Sequence, residues 1–327
     1  MSKGTGLGAA FFHNGYDVTT DIKSVDKIAM PSALLDRTSI DKSAMARGYG
    51  LRDGEISVSA YFDDAAGYSH PVFSALPKTD VHQMYCHRST AGQPAAAHIG
   101  LQINYDPVRS ADGDLISQVQ VLSNGFPVEW GTLLTGGKDN SVGAEDTTGV
   151  DLGTTAAAVA ITSSSVANPS VITATAHGLA TNDRVVIAGH TGSTPDINNA
   201  YTVTVTGDNT FTIPVNVTVG GTGGTVTKTS HSYGFAAYLV VFAFTGTDVT
   251  LKLQGSSDDA ATDAYADVTG GGFTQITTAP VVERIESSTF TQLMERYARI
   301  NIATATSFSS LDYAVMIVRY TGPNRET

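Results

Sequence analysis

The chain has 327 residues, of which 41% are hydrophobic and 15% charged, and its formal net charge is −12. That is enough apolar material for a packed core, which argues against wholesale disorder, and the length suggests two domains at roughly 100–200 residues each. The acidic balance gives no electrostatic basis for holding nucleic acid, because such binding rests on Lys and Arg neutralising phosphates.

The stretch from Met1 to Gly15 lacks the basic start and apolar run of a signal peptide. The longest apolar run, Phe235 to Phe244, is short of the roughly 20 residues that span a bilayer. Cys86 is the only cysteine, so no intrachain disulfide can form. A soluble protein made in the cytoplasm is expected.

Strand signals dominate in chain order. Glu55 to Phe62, Ile99 to Tyr105 and Ser117 to Leu122 alternate polar and apolar residues at period two, as half-buried strands do. The last two are separated by Pro107 to Gly113, which holds the turn pair Asp112-Gly113, so 97–123 reads as a hairpin. Between them and the first strand, Asp64 to Leu76 carries Ala65, Ala66, Val72, Phe73, Ala75 and Leu76 and predicts one short helix, which Gly67 and Pro71 weaken. Thr289 to Arg296 is a second, weaker helical segment.

From Ala158 to Lys228 the chain becomes rich in Thr, Val and Gly. It holds only Arg184 and Lys228 against Asp183, Asp196 and Asp208, a net of −1, so the remainder carries −12 minus −1, or −11. Strands are predicted at 170–176, 184–188, 200–206, 210–217 and 224–229, punctuated by turns at His177-Gly178, Gly189 to Ser193, Gly207-Asp208 and Gly220 to Gly224. This reads as a small all-β domain, 158–228, inserted into a discontinuous β domain made of 1–157 and 229–327. Beyond it, Tyr238 to Thr245, Val249 to Gln254, Tyr297 to Thr304 and Tyr313 to Tyr320 predict further strands. The last is nearly continuous apolar, as expected of a strand buried on both faces.

Motifs that carry chemistry do not accumulate. Gly131 to Lys138 resembles a phosphate loop, but Thr132 stands where its first glycine belongs and Asp139 where a Ser or Thr would hold magnesium. His82, Cys86 and His87 are close in sequence, yet no second cluster completes the roughly four ligands of a zinc site. Asp258, Asp259, Asp263 and Asp267 lack the spacing and terminal glutamate of a calcium loop. No Gly-x-Ser-x-Gly elbow occurs. His177 is read as a turn or packing histidine, and Trp130 as a packing residue rather than a sugar-stacking one. No catalytic, cofactor-binding or metal residue is therefore expected.

Several blocks resemble the tail-tube (major tail) proteins of siphophages. They are Gly15 to Ile22, Leu35 to Ser39, Gly50 to Ser57, Glu129 to Thr135, Phe244 to Thr250 with Leu253-Gln254, and Arg296 to Arg299. The resemblance covers about 1–155 and 230–320. Within 158–228, the blocks Ala176 to Leu179, Asn182 to Val185 and Asn209 to Ile213 resemble a small β module recurrent in phage structural proteins.

The resemblance implies a mainly β fold, with two antiparallel sheets packed together and a short flanking helix. It implies rings of six copies stacked into a helical tube, with the inserted module decorating the outside. Its implied partners are other copies of itself, a tape measure protein in the lumen, and tail terminator and baseplate or tip proteins. DNA would pass through without being bound, and the protein would reside in the virion. Part of the −11 on the body is expected to line the lumen and repel DNA. The segment Asp36 to Gly54 is expected to be a long ring-stacking loop, with Asp36, Arg37, Asp41, Lys42, Arg47, Arg52 and Asp53 as its polar contacts. The alternatives are a virion or cell-surface adhesin that binds host glycans through the insert, and an enzyme acting on polysaccharide.

Overall fold

The structure, a computed structural model, describes residues 7–153, 158–228, 234–288, 294–304 and 306–320. It is mainly β, with antiparallel sheets and one short α-helix.

The largest sheet has 12 strands. Across it, in order, lie Tyr16–Asp17, Ala10–His13, Val81–Cys86, Pro94–Arg109, Glu129–Leu133, Phe308–Arg319, Phe235–Gly246 and Val281–Glu286. The long strand Pro94–Arg109 serves two neighbourhoods. Its first half pairs with Val81–Cys86 and Glu129–Leu133, and its second half with Leu115–Ser123. A register shift between Gln102 and Asn104 bends it where the exchange happens. Leu115–Ser123 then pairs with Glu55–Tyr61, which pairs with Ile22–Ala29. The expected hairpin over 97–123 is thus present. Its turn is tighter than expected, because Pro107 and Val108 continue the strand opposite Ser117 and Ile116.

Three apolar clusters hold these layers. Against one face of Phe235–Gly246 and Phe308–Arg319 packs a second sheet of five strands, which includes Thr250–Ser256 and Tyr297–Ala303. Their shared cluster contains Leu239, Val241, Leu251, Leu253, Ile300 and Ile302. On the opposite face, Tyr238, Val240, Ala314 and Met316 meet Phe12, Met84 and Ala97. The strand Phe308–Arg319 separates the two: Tyr313, Val315 and Ile317 point into the first cluster, and Ala314, Met316 and Val318 into the second. This is why its sequence shows no polar alternation. A third cluster joins Ile56, Val58, Ala60 and Val119 to Phe11 and Ala96, and the helix caps it with Val72 and Phe73. Burying a side chain of this size stabilises by roughly 1.5–3 kcal/mol.

The helix is shorter than the expected 64–76 and covers only Ser69–Ser74. Gly67 and Leu76, at φ 86° and 39°, bend the chain on either side of it. The block Gly15 to Ile22, which resembles a first strand, is largely a turn: Tyr16–Asp17 is a two-residue strand, Thr19–Asp21 a 3-10 turn, and the long strand starts at Ile22. The weaker helical segment Thr289 to Arg296 lies mostly outside the described residues, and Met294 to Arg296 are not helical.

Residues 159–228 form two four-stranded sheets of their own. One contains Val159–Ala160, Thr225–Lys228, Arg184–Ala188 and Ala200–Thr202; the other contains Ser163–Ser164, Ser170–Thr173, Thr210–Ile213 and Thr204–Gly207. Ile172, Val185, Ile187, Phe211 and Ile213 fill the space between them. The strand expected at 200–206 is split at buried Val203, whose N–H donates to the Asp183 carbonyl (3.0 Å), so the chain crosses there from one sheet to the other. The strand expected at 210–217 stops at Ile213, because Pro214 has no N–H for the ladder.

Candidate functional site

The segment expected as a loop from Asp36 to Gly54 contains a loop over 37–46, but Asp36 and Arg47–Arg52 on either side of it are strand. Ser32–Asp36 and Arg47–Arg52 pair into a separate two-stranded ribbon that joins no other sheet among the described residues. Leu34 lies opposite Tyr49, Leu35 opposite Gly48, Asp36 opposite Arg47, and Ser32 opposite Arg52. Strand formation follows from the alternation Gly48-Tyr49-Gly50-Leu51. The missing side chains at Gly48 and Gly50 leave room for Arg37, Ala33 and Leu35, which a Cβ would meet at 2.8 to 3.4 Å.

All seven charged candidates sit on this ribbon or its foot, and all are exposed. Asp36 accepts the Thr38 N–H at 2.9 Å, and its hydrogen bonds from Thr38 hold its carboxyl below the usual range. Ala46 N–H donates to Thr38 Oγ1 at 2.8 Å, closing the turn. Asp41 accepts from Ser39 and pairs with Lys42 at 3.3 Å, and both partners hold its carboxyl down. Arg47 reaches Met45 sulfur at 3.3 Å, Arg52 lies 3.9 Å from Met30 sulfur, and the Asp53 N–H closes the foot on the Pro31 carbonyl at 2.8 Å. Arg37 donates its backbone N–H to Ala46 at 2.8 Å. The Asp36 and Asp41 carboxylates therefore help order the connecting loop, while Arg37 and Asp53 contribute backbone hydrogen bonds to it and to the foot.

The sequence reading missed the apolar half of this element. Leu34, Tyr49 and Leu51 are 65%, 82% and 89% exposed, and Leu35, Ile40 and Met45 are exposed as well. Six large exposed apolar side chains on one two-stranded ribbon and its connecting loop are unusual for a surface that faces only water. An isolated two-stranded ribbon is marginal at best by itself. The detectable signal was the period-two spacing of Tyr49 and Leu51.

The residues weighed for chemistry are locked into the fold. Cys86 is buried, and burial pushes its thiol up to about 12. Burial lowers His82 to about 4. The His177 Nδ1 accepts the Leu179 N–H at 3.0 Å, so its Nε2 donates to the Gly207 carbonyl at 3.0 Å, and the ring packs edge-on against Phe211. Asp258 and Asp263 accept backbone N–H groups of their own loop. Trp130 departs from the packing expectation: it is 44% exposed, on a strand whose neighbour Glu129 points inward.

Glu129 anchors the most charged spot in the interior. Arg284 forms a two-pronged pair with it at 3.0 and 3.1 Å, and both side chains are buried. The hydroxyls of Tyr238 and Tyr320 donate to the same carboxylate at 2.5 and 2.8 Å, and the guanidinium lies 3.7 Å from the Phe126 ring centroid. Burial, then the Glu129 charge, raises Tyr238 well above its ordinary value. Each group here is held by another, which makes the cluster a strut between strands.

No protein-family model matches the sequence. No curated protein matches it. Among solved structures, a chain of the virion of a native gene transfer agent particle aligns over 39% of this chain and 98% of its own, at 14% identity and a TM-score of 0.31. The SPP1 Dit (gp 19.1) protein, described as a paradigm of the hub adsorption apparatus in phages infecting Gram-positive bacteria, aligns over 94% and 98%, at 9% identity and 0.27. A chain of the phage P2 baseplate in its activated conformation with Ca aligns over 95% and 98%, at 9% identity and 0.28. Likeness at this level carries no argument about activity.

Proposed function

We propose that the chain is a non-enzymatic structural subunit of a bacteriophage tail tube, which self-associates into six-membered rings stacked as a conduit for DNA. The observation that carries this reading is the separate ribbon Ser32–Asp36/Arg47–Arg52 with Leu34, Tyr49 and Leu51 exposed. A partner that covered such side chains would gain on the order of 1.5–3 kcal/mol for each one fully buried. Another copy of the chain is the natural partner, because a head-to-tail contact repeats along an axis without limit.

The composition supports the same reading. The blocks that resemble tail-tube proteins lie outside 158–228, and that outer part carries −11 of the −12. A wall of that sign would let DNA pass without holding it. In this reading the lumen also holds a tape measure protein, the tube ends meet terminator and baseplate or tip proteins, and the subunit is made in the host cytoplasm and resides in the virion. Residues 158–228 are a separately folding module on the outside.

Negative-stain microscopy of the purified protein tests the reading. Stacked rings are expected. A lone, monodisperse particle at every concentration would overturn it.

A further inference from the structure

Residues 159–228 share no sheet and no apolar cluster with the rest of the chain among the described residues. Two chain crossings join them to the body, so something else must decide how they sit. Among the described residues, the Arg184 side chain reaches across. Arg184 opens the strand Arg184–Ala188 and extends to the body, where its Nε lies 2.8 Å from Glu295 Oε1 and its Nη2 lies 3.6 Å from Asp263 Oδ2.

The receiving carboxylates are prepared by the body alone. Asp263 is fixed in its loop by the N–H and hydroxyl of Ser257, at 3.0 and 2.7 Å. Glu295 precedes the strand Tyr297–Ala303, and its Cβ and Cγ lie over Gly255, where an added Cβ would meet them at 3.2 Å. Its Oε2 is buried without a hydrogen-bond partner among the described residues. Burial raises the Glu295 carboxyl to about 7, while Arg184 pulls it down and Asp263 pushes it up. The pair does not fully offset the cost of burying this charge, so it contributes position more than stability.

We propose that the Arg184–Glu295–Asp263 contact is a releasable charge latch that fixes residues 159–228 in one orientation on the body, and that without it this orientation is lost. Among the described residues no apolar cluster backs the latch, so the ion pair alone carries the orientation. The inference does not rest on the tube reading and concerns the single molecule.

Single-molecule energy transfer on the full-length chain tests it. Dyes are attached at Asp208→Cys and Thr247→Cys in a Cys86→Ala background, at concentrations where copies do not meet. The parent is expected to give one narrow transfer peak, which broadens and shifts with Arg184→Ala. The exchange Arg184→Glu with Glu295→Arg should restore the narrow peak. An Arg184→Ala peak identical to the parent would overturn the latch. Should that substitution unfold the 159–228 sheets, Glu295→Gln with Asp263→Asn removes the same contact while leaving their sequence intact. An unchanged peak in that variant would likewise overturn the proposal.

Discussion

At the residue scale, the body keeps a set of polar groups away from water, and each has a measurable consequence. Arg284 and Glu129 neutralise one another inside the sheet packing, with two tyrosine hydroxyls completing the carboxylate. Removing one partner of such a pair leaves an uncompensated charge, so Arg284→Ala should cost about 3–5 kcal/mol in urea unfolding. The histidines act through pH. The buried His13 and His98 bracket Gln83, with His13 Nδ1 at 3.2 Å from Nε2 and His98 Nε2 at 2.9 Å from Oε1. Burial lowers both to about 3, and His82 to about 4. A histidine with a depressed folded pKa binds fewer protons folded than unfolded. Its contribution is whole above about pH 6.5 and is lost as pH falls from there towards the folded value. The three should therefore together make stability fall as pH drops through that window. A melting temperature that falls steeply between pH 6 and 4 checks this; a flat profile there contradicts it.

At the scale of elements, the proposed tube makes the ribbon a place where assembly can be separated from folding. Its apolar side chains touch little of their own molecule, so Leu34→Ser with Tyr49→Ser should change unfolding free energy by about 0.5 kcal/mol or less. The same pair should abolish stacked rings in micrographs. Normal tubes from this variant would remove the ribbon from the account. The element also shows where the sequence was readable. Glu55 to Phe62 and Tyr313 to Tyr320 announced themselves because their neighbours on both sides dictate one hydrophobic pattern. The ribbon did not, because its pattern answers to nothing within the molecule, and its seven charges drew attention from Tyr49 and Leu51. Trp130 was misread for a related reason: burial of its neighbour Glu129, tied to distant Arg284, turns the indole outward, and that pairing spans 155 residues. The strand boundary at Val203 was hidden because crossing between sheets leaves no mark on an alternating Thr-Val run.

At the scale of the whole molecule, residues 158–228 are proposed to be dispensable for assembly. Excising them with a short Gly-Ser bridge should leave a soluble protein that still forms rings. Insoluble or ring-incompetent protein would argue that the segment is integral. The position of Phe308–Arg319 has a further consequence. It lies between Glu129–Leu133 and Phe235–Gly246 and supplies both clusters flanking it, yet it follows every strand it pairs with. During synthesis the large sheet therefore waits with an open slot, while the two small sheets of 159–228 can close from nearby sequence alone. A nascent body cannot reach the shape that its neighbours would recognise until translation has passed the twelve residues of that strand. In the proposed tube, that delay would keep half-made subunits out of a growing polymer.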